Sequence, residues 1–165
     1  MKLATTILAA SLLASTSLAQ AAADFATLRS ASSLGLNDTT PSRVINFTLP
    51  ATVSTSSYSV LDFEVLGSEF NYNEIYVNPP TTVCTSDSTD ANQSGSVGYL
   101  REHDDDNLKT EWATNHIVFP SSKLLAGANK VLICVRSAAG NAGNGAGNLD
   151  DISVRSMVLH YHNTQ

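Results

Sequence analysis

The chain has 165 residues, the length of one domain, with 9 basic and 15 acidic side chains and a formal net charge of −6. Without Lys2, which falls in a leader, 8 basic groups face 15 acidic ones, a net of −7, and this balance disfavours nucleic acid or an anionic membrane surface as a partner.

Residues 1–23 read as a secretory signal peptide. Lys2 gives the positive start, Ile7 to Leu18 is an apolar stretch diluted by Ser and Thr, and Ala19-Gln20-Ala21 and Ala21-Ala22-Ala23 are small-residue cleavage patterns. The stretch is too short to anchor in a bilayer and no second apolar run follows, so export without membrane insertion is expected. The Ala- and Ser-rich segment Asp24 to Leu36 reads as a turn of helix or a tail. Residues 24–41 are therefore set apart as an arm ahead of a domain at 42–165.

From Ser42 the pattern changes to strands. Ile45, Phe47 and Leu49 alternate with Val44, Asn46 and Thr48, and Leu61, Phe63 and Val65 alternate with Val60, Asp62 and Glu64. Glu74 to Val77 is a short strand stopped by Asn78-Pro79-Pro80, where prolines remove backbone donors. Further strands are predicted at Thr82 to Cys84, Val97 to Leu100 and His116 to Phe119. Thr85 to Gly95 and Glu102 to Asn107 are polar loops. After Pro120 and the Gly127 turn, Val131, Ile133 and Val135 alternate with Leu132, Cys134 and Arg136. Ala138 to Asn148 is almost wholly Ala, Gly and Asn and cannot pack a core, so it is a surface loop. Asp150-Asp151 then opens a last strand through Ile152, Val154 and the run Met157-Val158-Leu159. About eight antiparallel strands with turns between them predict an all-β sandwich.

Cys84 and Cys134 are the only cysteines, and no histidine or further cysteine stands at zinc-like spacing from either. In an oxidising compartment they predict one disulfide, which closes a loop long enough to stabilise the fold by roughly 4 kcal/mol.

The order of features carries a resemblance. An apolar strand is followed by Asn73-Glu74-Ile75-Tyr76-Val77-Asn78, a long polar insertion, a strand ending at Pro120, Leu124-Leu125-Ala126-Gly127-Ala128-Asn129, a strand, a Gly/Asn loop, Asp150-Asp151-Ile152 and a final strand. This resembles the galactose-binding-like jelly roll found in many carbohydrate-binding modules. The resemblance implies a two-sheet sandwich, frequent structural calcium, sugar binding at loops along one edge, and a role for an Asn near the position of Asn78.

Sugar recognition needs flat apolar rings and planar polar groups that reach several hydroxyls. Trp112 is the only tryptophan and reads either as a core plug or as an exposed platform; Tyr72, Tyr76 and Tyr99 lie at strand or loop margins, and Arg101 and Glu102 flank the acidic loop. Asp104, Asp105 and Asp106, beside Glu102, read as a solvated loop or as oxygen ligands for calcium. Asp150 and Asp151 are a second candidate calcium corner, with capping of backbone amides the stronger reading. His160 and His162 point to one strand face and, with His116 or His103, are a minor candidate for zinc or copper. Asn37, Asn46 and Asn92 begin glycosylation sequons.

No GxSxG, HExxH or phosphate-loop motif is present, and the carboxylates do not pair in an evident cleft, so no catalytic residue is assigned. The sequence thus predicts a secreted, non-catalytic carbohydrate-binding protein whose partner is a glycan or cell-surface polysaccharide. The alternative is an extracellular structural protein that self-associates through sheet edges, with a small polysaccharide-active enzyme behind both.

Overall fold

The computed structural model describes residues 22–69, 73–84, 95–100, 111–137 and 148–164. The strands within them are β1 (Ala22–Thr27), β2 (Leu34–Leu36), β3 (Ser42–Leu49), β4 (Tyr58–Leu66), β5 (Glu74–Val77), β6 (Ser96–Tyr99), β7 (Ala113–Pro120), β8 (Gly127–Cys134) and β9 (Ile152–Asn163). One sheet runs β1-β9-β4-β7, with β2 also on β9, and the other runs β3-β8-β5-β6. With the short β2 set aside and the other eight renumbered, the orders become 1-8-3-6 and 2-7-4-5, the paired Greek keys of a jelly roll.

Alternation builds the core. Leu61, Phe63 and Val65 of β4, Val131 and Ile133 of β8, and Val135 just past it are all buried in one cluster between the sheets. Each such side chain contributes about 1.5–3 kcal/mol by leaving water. On β9 the inward set is Ile152, Val154, Met157, Leu159 and Tyr161, so the period of two slips by one residue after Val154. The slip is a β-bulge: Glu64 pairs with Arg155 while Asp62 pairs with Val158, and Ser156 takes a positive φ of 54°. Gly67 also has a positive φ, 81°, and a Cβ there would stand 2.6 Å from the Asp151 carbonyl, so the turn after β4 requires glycine.

β8 is buried on both faces. Its outward Leu132 and Cys134 pack with Tyr76, Val44 and Cys84 in a second, smaller cluster, where the Cys84–Cys134 disulfide ties the segment after β5 to the sheet. This explains why the strand expected at Thr82 to Cys84 is absent: the segment crosses the sheet as a bend behind Pro79-Pro80 and is held by sulfur, not by a ladder.

The segment read as a helical turn or a tail forms two strands. β1 pairs with β9 from Ala22↔Asn163 to Thr27↔Val158, and β2 continues along the same edge from Leu34↔Val154 to Leu36↔Ile152. β1 shows no apolar alternation because it buries almost nothing; only Ala26 packs against the core. The backbone ladder holds it, together with the Asp24 carboxylate, which accepts from the Tyr161 hydroxyl and the Asn163 amide.

Candidate functional site: the open face of the five-stranded sheet

The outward side chains of β1, β9, β4 and β7 form a face built row by row from the strand register. Phe25 pairs with His160, His160 with Val60 and Val60 with Val118 in one row. Thr27, Val158, Asp62 and His116 make the next. Past the bulge come Arg155, Glu64 and Thr114. Four strands and the length of β4 give a surface of about 14 by 26 Å. Three large apolar side chains stand out from it: Phe25 (63% exposed), Tyr58 (67%) and Val118 (61%).

At its centre Asp62 lies between two imidazoles. His116 Nδ1 on β7 stands 2.6 Å from Asp62 Oδ1, and His160 Nε2 on β9 stands 3.0 Å from Asp62 Oδ2. Both rings are more than half exposed, whereas the carboxylate is 31% exposed. Among the described residues no group of three or more His, Cys, Asp or Glu is arranged to hold a metal ion. The carboxylate occupies the space between these two histidines.

Trp112, just ahead of β7, is half-buried, and the Arg155 guanidinium lies 3.9 Å from its ring centroid. It is thus neither a plug between the sheets nor a bare platform. Arg155 Nε also donates to Glu64 Oε2 at 2.9 Å. That bond, with one from Ser156, holds the Glu64 carboxyl below the ordinary glutamate value of 4.5. A lowered folded value means that this contribution to stability is present above pH 4.5 and is lost as pH falls through the folded value. Wild type should therefore lose melting temperature on acidification, and the gap between wild type and Glu64→Gln should narrow as pH falls below 4.5, as read by thermal denaturation across pH.

The other predicted site residues stand elsewhere. Tyr99 is exposed on β6, in the other sheet. Asn78, with φ 50°, is half-buried and fully engaged: its amide donates to Lys123 O and Asn129 Oδ1, and its carbonyl accepts the Lys130 N–H. It latches the loop after β5 to β8, and Asn78→Ala should lower unfolding free energy by about 2–3 kcal/mol in urea titrations. Asp150 is buried and ties Glu69 to Asn73, accepting from the Glu69 N–H (2.8 Å) and the Asn73 amide (2.5 Å). Asp151 beside it is exposed. Tyr72, Arg101, Glu102, His103, Asp104, Asp105, Asp106 and nearly all of the leader lie outside the described residues.

An open cleft of about 440 Å³ lies on the other sheet, between Pro79-Pro80 and Leu125, with Asn46 and Lys130 on its rim. None of the described residues lining it is aromatic. Trp112 and the grouping of His160 with His116 were legible in the sequence, but Asp62, on a third strand, was not brought to them. The sign available in the sequence was Asp62 on the polar side of an alternating strand, with His116 and His160 on strands of their own.

No protein-family model matches the chain, and no curated protein matches it. Among solved structures it is similar to a β-porphyranase of glycoside hydrolase family 86 from the human gut bacterium Bacteroides plebeius. That match has 14% identity and a TM-score of 0.41, and covers 88% of this chain but 21% of the enzyme, so the chain spans about a fifth of the enzyme's length. It is also similar to a family 35 carbohydrate-binding module from an environmental isolate, with 15% identity, a TM-score of 0.38, and coverage of 70% of this chain and 67% of the module.

Proposed function

We propose that this protein is a secreted, non-catalytic carbohydrate-binding protein and that a glycan lies along the open face of its five-stranded sheet. The observation that carries this reading is the combination on one flat surface of exposed apolar groups, Phe25, Tyr58 and Val118, with planar polar groups, Asp62, His116, His160 and the Arg155–Glu64 pair. Pyranose rings present C–H faces that pack on such rings and hydroxyls that such polar groups bind. Export belongs to the same proposal and is supported by the leader sequence and the disulfide. Cleavage after Ala21 would leave β1 whole. A structural calcium ion, suggested by the acidic run at 102–107, is a further part of the proposal; if it is present, a chelator lowers the melting temperature.

The test is affinity electrophoresis of the mature protein through a panel of polysaccharides, with calcium and with chelator. Specific, saturable retardation by at least one polysaccharide is expected. Absence of retardation across the panel, together with concentration-dependent assembly in sedimentation velocity, would favour self-association through the same exposed apolar groups.

A further inference from the structure

We propose that Asp62 sets what the open face recognises by locking His116 and His160 in opposite tautomers, so that both turn a lone pair outward and the face becomes an array of acceptors for hydroxyl groups. This inference rests on the glycan reading above. An ionised carboxylate can only accept hydrogen bonds, so the ring nitrogen facing each of its oxygens must carry the proton. At His116 that nitrogen is Nδ1 and at His160 it is Nε2. The remaining nitrogens, Nε2 of His116 and Nδ1 of His160, are then unprotonated in the neutral rings. Neither has a hydrogen-bond partner among the described residues, and both rings are more than half exposed. Two acceptors on strands either side of β4 suit a neutral polyhydroxy ligand, whose hydroxyls donate.

The other charged groups near the pair do not substitute for it. Glu64 and Arg155 are bonded to each other, His162 lies two residues beyond His160, and Asp24 of β1, opposite the buried Tyr161, turns its carboxylate to Tyr161 and Asn163. The acceptor array at the face therefore depends on Asp62.

Side-chain ¹⁵N NMR of the histidines at pH 8 tests the lock without any ligand. The expected result is the Nδ1–H form at His116 and the Nε2–H form at His160. Asp62→Ala should abolish the Nδ1–H form at His116. Asp62→Asn, whose amide offers one acceptor and one donor, should flip a single ring; His162→Gln should change neither. An Nε2–H form at His116 in the wild type, or spectra unaltered by Asp62→Ala, would overturn the proposal. The second readout is affinity electrophoresis in galactomannan. Retardation of the wild type at pH 8 that falls at least about tenfold in affinity in Asp62→Ala is expected; equal retardation of the two proteins overturns it. No retardation of the wild type, with both tautomers as stated, counts against the glycan reading of the face and leaves the tautomer lock supported.

Discussion

Replacing Arg136 with Met should destabilise the protein by about 3–5 kcal/mol, because it would leave a carboxylate buried without its counter-ion. Arg136 is 1% exposed and Glu74 2%. The guanidinium forms an ion pair with Glu74, donating from Nε at 2.6 Å and from Nη2, and Nη2 also reaches the Tyr76 hydroxyl at 3.3 Å. That hydroxyl donates to the same Glu74 oxygen at 2.7 Å, and burial, with Glu74 second, raises its pKa well above the usual tyrosine range. The three side chains form one hydrogen-bonded unit on the outward side of the four-stranded sheet, where water would otherwise solvate them. The double variant Glu74→Met/Arg136→Met removes both charges and should recover most of the loss, since apolar replacement of a whole buried pair is often close to neutral. Urea denaturation of the single and double variants checks both statements. A single-variant loss under about 1 kcal/mol would show that the pair is not the buried unit described.

The second large effect belongs to the disulfide. Cys84 and Cys134 are 50 residues apart, and in the chain-entropy model a loop of that length stabilises the folded state by about 4 kcal/mol. The bond also pins the segment after Pro80 over Tyr76 and Leu132, so its loss opens the smaller apolar cluster. Cys84→Ala/Cys134→Ala should lower unfolding free energy by about 4 kcal/mol, and reduction of the wild type should lower its melting temperature to match. If the double variant melts with the wild type, the covering segment is held by something other than sulfur.

The parts of the fold that were legible in the sequence are those where side-chain burial writes a period into the chain. β3 and β4 follow the alternation at Ser42–Leu49 and Tyr58–Leu66, and β5 ends where Asn78-Pro79-Pro80 stops it. β1 left no such mark because its ladder is backbone and its side chains stay in water. Arg136 read as the polar member of an alternating strand, and its partners Glu74 and Tyr76 lie 62 and 60 residues upstream. The Asp62 cluster depends on register: Asp62 meets His116 and His160 only because β4 pairs with β7 and β9 at those positions. Likewise Trp112 and Arg155 meet through the pairing of β4 with both neighbours and the bulge beside Ser156.

If a glycan lies on the open face of the five-stranded sheet, the exposed rings of Phe25 and Tyr58 carry its apolar contact. The most direct measurement is isothermal titration of the best-retained polysaccharide from the panel, in fragment form, into wild type and into Phe25→Ser/Tyr58→Ser. Both residues are mostly exposed, so the variant should keep its melting temperature within a few degrees. Its affinity should fall at least about tenfold, a loss of about 1.4 kcal/mol or more. Equal affinity in the two proteins would place the glycan elsewhere on the molecule and overturn the binding face proposed above.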